Sequence, residues 1–139
     1  MGTRNRTCGQ CDGVAKPFAR ESFVAVLKGR SVTVRGLSGW RCSVCKEVEF
    51  NSEGAARYAA AGDALVLDER ARVAGEIRRI RTALRLTQVQ ASRITGGGPN
   101  AFSRYERGEA KPMPAVLNLL RVLEKHPELL CEIQVESEV

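Results

Sequence analysis

Hydrophobic positions along this chain follow one period in its first third and another in the remainder. From Ser31 to Arg35 polar and apolar residues alternate, the period of a strand with one buried face. Phe23 to Leu27 is a β-rich run just before it, and Lys28-Gly29-Arg30 between the two predicts a hairpin. Gly36 and Gly39 then read as turning the chain toward Trp40. Phe18, Phe23, Val32, Val34, Trp40 and Phe50 are the expected core, with Trp40 a packed aromatic rather than an interaction hot spot. Past Ser52 the spacing becomes helical. The Ala-rich Ser52 to Ala61 predicts a short helix stopped by Gly62, and Gly62 to Asp68 reads as a connector. A longer helix follows from about Glu69 to Arg85, with Ile77, Ile80 and Leu84 on one stripe.

The most informative pattern runs from Thr87 to Pro114. Thr87 and Gln90 form a capping box, so a helix begins there and carries Val89, Ala91 and Ile94 up to the break at Gly96-Gly97-Gly98. Pro99 fits the first position of a second helix. At about 100° per residue, that helix gathers Asn100, Ser103, Arg104 and Arg107 in one arc and sets Ala101, Phe102 and Tyr105 opposite. Asn can pair bidentately with adenine and Arg with guanine. The layout is that of a helix-turn-helix reader, although a structural helical hairpin with a solvated polar face would share the periodicity. Asn100 and Arg104 are the expected base readers, with Gln88, Ser103, Arg107 and Lys111 on phosphates. Pro114 opens a further helix rich in Val and Leu that ends before Pro127, and Pro127 to Ile133 reads as one more short helix. The apolar face of the Pro114 helix is wider than a small core requires, which predicts a homodimer and hence a palindromic operator.

Charge sharpens this picture. The 139-residue chain carries net charge +6 with pI about 9.4. Between Arg70 and Lys111 ten Lys or Arg face three acids, whereas from Pro112 onward two face five. The positive field is centred on the reader, where double-stranded DNA would need it. No apolar segment follows the basic N-terminus, no stretch spans a membrane, and Arg6 stands where a myristoylation signal on Gly2 needs Ser or Thr. The expected location is the cytoplasm, where paired cysteines serve metals more often than disulfides.

Cys8-Gly-Gln-Cys11 and Cys42-Ser-Val-Cys45 are two such pairs. Two knuckles brought together supply four thiolates, the tetrahedral set that structural zinc accepts, with no open position for an activated water. A redox dithiol is the alternative, but it lacks the βαβ context. The few core residues between the knuckles leave zinc to stabilise that half. Cys131 reads as a packed, inert thiol, and His126 as a helix-end residue. No Ser/His/Asp set, phosphate-cradling Gly-rich loop or paired carboxylates is present, so no enzyme is expected. The fold class is α+β, a small zinc-bound β-hairpin domain over residues 1–65 followed by an all-α helix-turn-helix domain over 66–139.

Taken in order, C-x-x-C, the KGR hairpin, GLSGWRCSVC, LTQVQASRITGGGPNAFSRYERGEAKP and NLLRVLEKHPELL resemble the MqsA family of antitoxins from Cys8 to Ile133. The resemblance implies a zinc domain that neutralises a toxin, typically an mRNA-cleaving ribonuclease, and a dimeric helix-turn-helix domain that represses its own operon. The family's zinc thiolates fall on Cys8, Cys11, Cys42 and Cys45, and its base readers on Asn100 and Arg104. A stand-alone zinc-containing transcription regulator is the alternative.

Overall fold

Four antiparallel strands open the fold in the spatial order β1-β2-β3-β4: β1 (Arg6–Thr7), β2 (Val14–Leu27), β3 (Arg30–Cys42) and β4 (Val48–Phe50). The computed structural model describes residues 4–133. Gly2 and the acidic end from Gln134, which the sequence suggests is frayed, lie outside them. The chain divides into two compact units, Met1–Leu67 and Asp68–Val139.

In the first unit the hairpin forms at Lys28 and Gly29, both left-handed (φ 48° and 78°), the geometry of a two-residue turn whose twist matches its strands. Its strands are much longer than the sequence pattern predicts, 14 and 13 residues. Gly36 and Gly39 do not turn the chain: both lie within β3, and Gly39 pairs with Phe18 on one side and Phe50 on the other. The ladder instead absorbs irregularity through register shifts between Phe18 and Phe23, with Arg20 left-handed at φ 56°.

The core of this unit is partly the expected one. Val34 and Trp40 are buried, and Phe18, Phe23 and Phe50 form a half-buried aromatic cluster with ring centroids 4.8–6.3 Å apart. Val32, near the hairpin end of β3, is 37% exposed. Leu37, fully buried, takes the central place that the pattern reading did not give it.

The helices correct a second expectation. The short helix, connector and long helix anticipated between Ser52 and Arg85 are one 32-residue helix, α1 (Ser52–Ala83). Gly62 neither stops it nor starts a connector, since a glycine inside a helix costs only about 1 kcal/mol relative to alanine. Near its start Asn51 Oδ1 accepts from the Gly54 N–H at 2.8 Å, and Tyr58 adds its ring to the aromatic cluster, 5.1 Å from Phe50. No helix among the described residues is long and apolar enough to cross a membrane.

The second unit holds the rest of α1 with α2 (Gln88–Thr95), α3 (Ala101–Glu106), α4 (Pro114–Lys125) and a 3-10 helix at Pro127–Glu132. The capping box at Thr87 and Gln90 forms on both sides, and α2 ends at left-handed Gly96, φ 75°. Pro99 sits in the turn before α3 rather than at its first position; a Gly98–Ala101 hydrogen bond closes that turn and Asn100 becomes the residue that caps α3. Val73, Ile77, Ile80, Ala91, Phe102 and Leu120 form the core, with Leu84, Leu86, Tyr105, Val116 and Leu117 packed around them. Cys131 is exposed rather than packed; its thiol hydrogen-bonds to the Glu128 carbonyl at 2.7 Å.

Candidate metal centre and nucleic-acid interface

The two C-x-x-C pairs fold into near-copies of one knuckle. The Cys8 N–H donates to Gly13 O and the Cys42 N–H to Glu47 O, both at 2.8 Å. Within each turn the amide two residues on points at the first sulfur, Gln10 N–H to Cys8 Sγ and Val44 N–H to Cys42 Sγ, both at 3.4 Å. The residue after the second cysteine, Asp12 or Lys46, is left-handed in each. Pairing of Ala15 with Cys42, with the Ser43 N–H donating to Val14 O at 2.9 Å, brings the knuckles together.

All four Sγ atoms lie within 4.8 Å of one another, with Cys8 to Cys45 at 3.7 Å and Cys11 to Cys42 at 3.5 Å. Four thiolates around a tetrahedral ion at about 2.3 Å have sulfur–sulfur edges of about 3.8 Å, so the cluster is already sized to hold a metal ion. The Cys45 and Val44 amides, against some cost of burial, draw the Cys42 thiol down to about 6. Although the Glu47 amide pulls the other way, hydrogen bonding with Cys11 and then burial push Cys45 up to about 12. Because a metal ion binds thiolates rather than thiols, metal uptake is coupled to proton release. Trp40 lies two residues before Cys42 along β3, its indole N–H donating to Arg4 O at 3.1 Å and its ring covered by the Arg6 guanidinium.

In the second unit Phe102 is the anchor of α3, wholly buried, and its amide donates to the buried Ser92 hydroxyl at 3.4 Å. That contact seats the apolar side of α3 and turns Asn100 and Arg104 to the surface. Among the described residues, neither side chain has a hydrogen-bond or ion-pair partner. Ser103 is half-buried on the same helix and Lys111 is exposed. Arg107 is exposed but forms a bidentate pair with Glu109, at 2.9 and 3.0 Å. Gln88 is the residue whose setting differs most from a plain surface contact: its amide nitrogen donates to Glu106 Oε2 at 2.9 Å.

Glu106 itself escaped the pattern reading. Its side chain is 6% exposed and pairs with Arg81, which is 16% exposed. Burial pushes the carboxyl up, but hydrogen bonds from Arg81 and Gln88 prevail and hold it below the usual carboxylate range. The available signal was that Glu106 is the single acid between Glu76 and Glu109, in an otherwise basic stretch. The other arginines of α1 are partly committed as well, Arg79 to Glu124 of α4 and Arg72 to Glu69, while Glu76 receives Arg121.

A family model described as the antitoxin component of bacterial toxin-antitoxin systems, MqsA, matches residues 4–134. Antitoxin MqsA of Escherichia coli is 47% identical over 109 residues, covering 77% of this chain and 83% of that protein.

Proposed function

Because the chain belongs to the MqsA family of antitoxins, we propose that it neutralises a partner toxin through its zinc-bound first unit and represses its own operon through its second. The observation that carries the reading is the family match, which runs through both the cysteine cluster and the α2–α3 pair. Zinc fits the thiolate set best, since a closed four-sulfur shell suits a structural ion. The toxin class is an mRNA-cleaving ribonuclease, and the site of action is the cytoplasm.

On double-stranded DNA, Asn100 and Arg104 specify bases while Gln88, Ser103, Lys111 and Arg107 hold phosphates, Arg107 exchanging Glu109 for a phosphate oxygen. A homodimer is supported by α4, whose core side is filled by Leu120 and Leu123 while Val122 stays 47% exposed. A two-fold dimer reads a palindromic operator.

Affinity capture of the chain from its native cell tests both halves. Recovery of one small, near-stoichiometric protein whose expression alone arrests growth, with co-expression of this chain restoring it, is the expected result. Recovery of DNA with no such partner supports a stand-alone regulator instead. For the DNA half, Arg104→Ala should cost about 1–3 kcal/mol at one base pair and relax specificity there, whereas Lys111→Ala should weaken all sequences alike. Equal losses on cognate and scrambled duplex for Arg104→Ala would defeat the base-reading assignment.

A further inference from the structure

Three helices of the second unit meet at one carboxylate. Arg81, in the last turn of α1, donates to both oxygens of Glu106, through Nε to Oε1 and through Nη2 to Oε2 at 3.1 Å. The third nitrogen of that guanidinium, Nη1, donates to Leu86 O at 2.8 Å, in the link between α1 and α2. Gln88, the first residue of α2, adds its amide nitrogen to Glu106 Oε2 at 2.9 Å. Glu106 is the last residue of α3, two positions beyond Arg104. The site is nearly closed to water, where a planar bidentate pair fixes direction as well as distance.

Such a pair is poor evidence for stability, because desolvating two charges offsets most of their attraction; what it can supply is a single geometry. Here the geometry concerns the helix that carries Asn100 and Arg104. α3 is six residues long, too short to hold its own orientation, and its apolar anchoring rests on Phe102 and Tyr105. Glu106 pins the far end against α1. It also holds Gln88 by one amide hydrogen and leaves the second N–H of that group available to a phosphate.

We propose that Glu106, clamped by Arg81 and Gln88, is a positioning residue for sequence reading, setting α3 and the Gln88 amide so that base and phosphate contacts are made together. The proposal rests on the DNA-binding reading above. It predicts that loss of the clamp blurs discrimination between sequences without removing the positive field that attracts any DNA, since Glu106 is itself an acid.

The test compares two duplexes of equal length and composition in the full-length, metal-loaded protein. One spans the region immediately upstream of the chain's own coding sequence and the other is its scramble; binding is followed by fluorescence anisotropy at fixed salt. Glu106→Gln should lower the ratio of upstream to scrambled affinity by about tenfold or more while scrambled binding stays level or rises. A mere loss of folded protein would lower both affinities in step and leave the ratio alone. Gln88→Met, which leaves the Arg81 pair in place, should lower the ratio by a smaller factor of about three to five; a lost phosphate contact by itself would again leave it unchanged. If Glu106→Gln does not fold, Gln88→Met decides. An unchanged ratio in the folded variants overturns the proposal with the DNA reading intact, whereas a wild-type protein that does not prefer the upstream duplex overturns the DNA reading itself.

Discussion

A methyl group on Gly39 would stand 2.1 Å from the Glu49 carbonyl oxygen and 2.7 Å from the Phe50 Cα. Both are backbone atoms with no rotamer to retreat to, so a side chain there has to push β4 away from β3. Gly39→Ala should therefore destabilise the first unit by roughly 1–3 kcal/mol or more, read as a lower melting temperature of the metal-loaded protein. An unaltered melting curve would mean the strands can part at no cost. Glu106 carries a prediction of another kind. Its carboxyl is held low by Arg81 and Gln88 in spite of burial, so its contribution is complete above the unfolded value of about 4.3 and disappears as pH falls through the lower folded value. The unfolding free-energy difference between wild type and Glu106→Gln should thus be widest near neutrality and shrink in acid. A difference that stays constant from about pH 7 to about pH 3 would show that charge plays no part.

α1 contains three glycines, and while a Cβ on Gly54 would meet Asn51 Oδ1 at 3.0 Å, at Gly62 and Gly75 it would meet no atom within 4 Å beyond the helix's own backbone. Nothing in the packing requires the latter two, so Gly62→Ala and Gly75→Ala should each stabilise the helix by about 0.5–1 kcal/mol through reduced backbone freedom in the unfolded chain. Chemical denaturation measures this directly, and a loss of stability from either would reveal a contact that the backbone now avoids. These glycines also explain what the sequence could and could not convey. The Thr87–Gln90 capping box and the Gly96 stop were legible because each is a local interaction complete within a few residues. The cysteine spacing was legible for the same reason, since each knuckle closes on itself. A single helix across Gly62 was not, because the residues that sustain it are flanking helix formers whose effect is summed over many positions. The full lengths of β2 and β3 were hidden too. Gly36 and Gly39 read as punctuation, yet both lie within β3, and Gly39 is required by the closeness of β4. Glu106 was illegible as a positioning residue because its partners are 18 and 25 positions away.

The two units differ in what holds them folded, and removal of the metal should separate them. The second unit owns a continuous apolar core from Val73 through Leu120, with fully buried Ile77, Ile80 and Phe102, and needs no ion to complete it. In the first, full burial falls mainly to Leu37 and Cys42, while much of the aromatic cluster stays half-exposed. A sheet with so little buried area cannot offset its chain entropy unaided, whereas a four-thiolate ion would contribute on the order of 10 kcal/mol. Between Cys8 and Cys45 the ion closes a loop that contains the whole of β2 and β3, so its loss releases the central hairpin of the sheet rather than the knuckles alone. A strong chelator should therefore abolish the strand signal in circular dichroism and the amide protection of residues 14–42. The helical signal contributed by α2, α3 and α4, and the protection of Ile77, Ile80 and Phe102, should persist. Binding to the upstream duplex should also survive, while capture of a partner through the first unit should fail. Simultaneous loss of protection in both units would show instead that α1, which runs through the boundary at Leu67, transmits unfolding from one to the other.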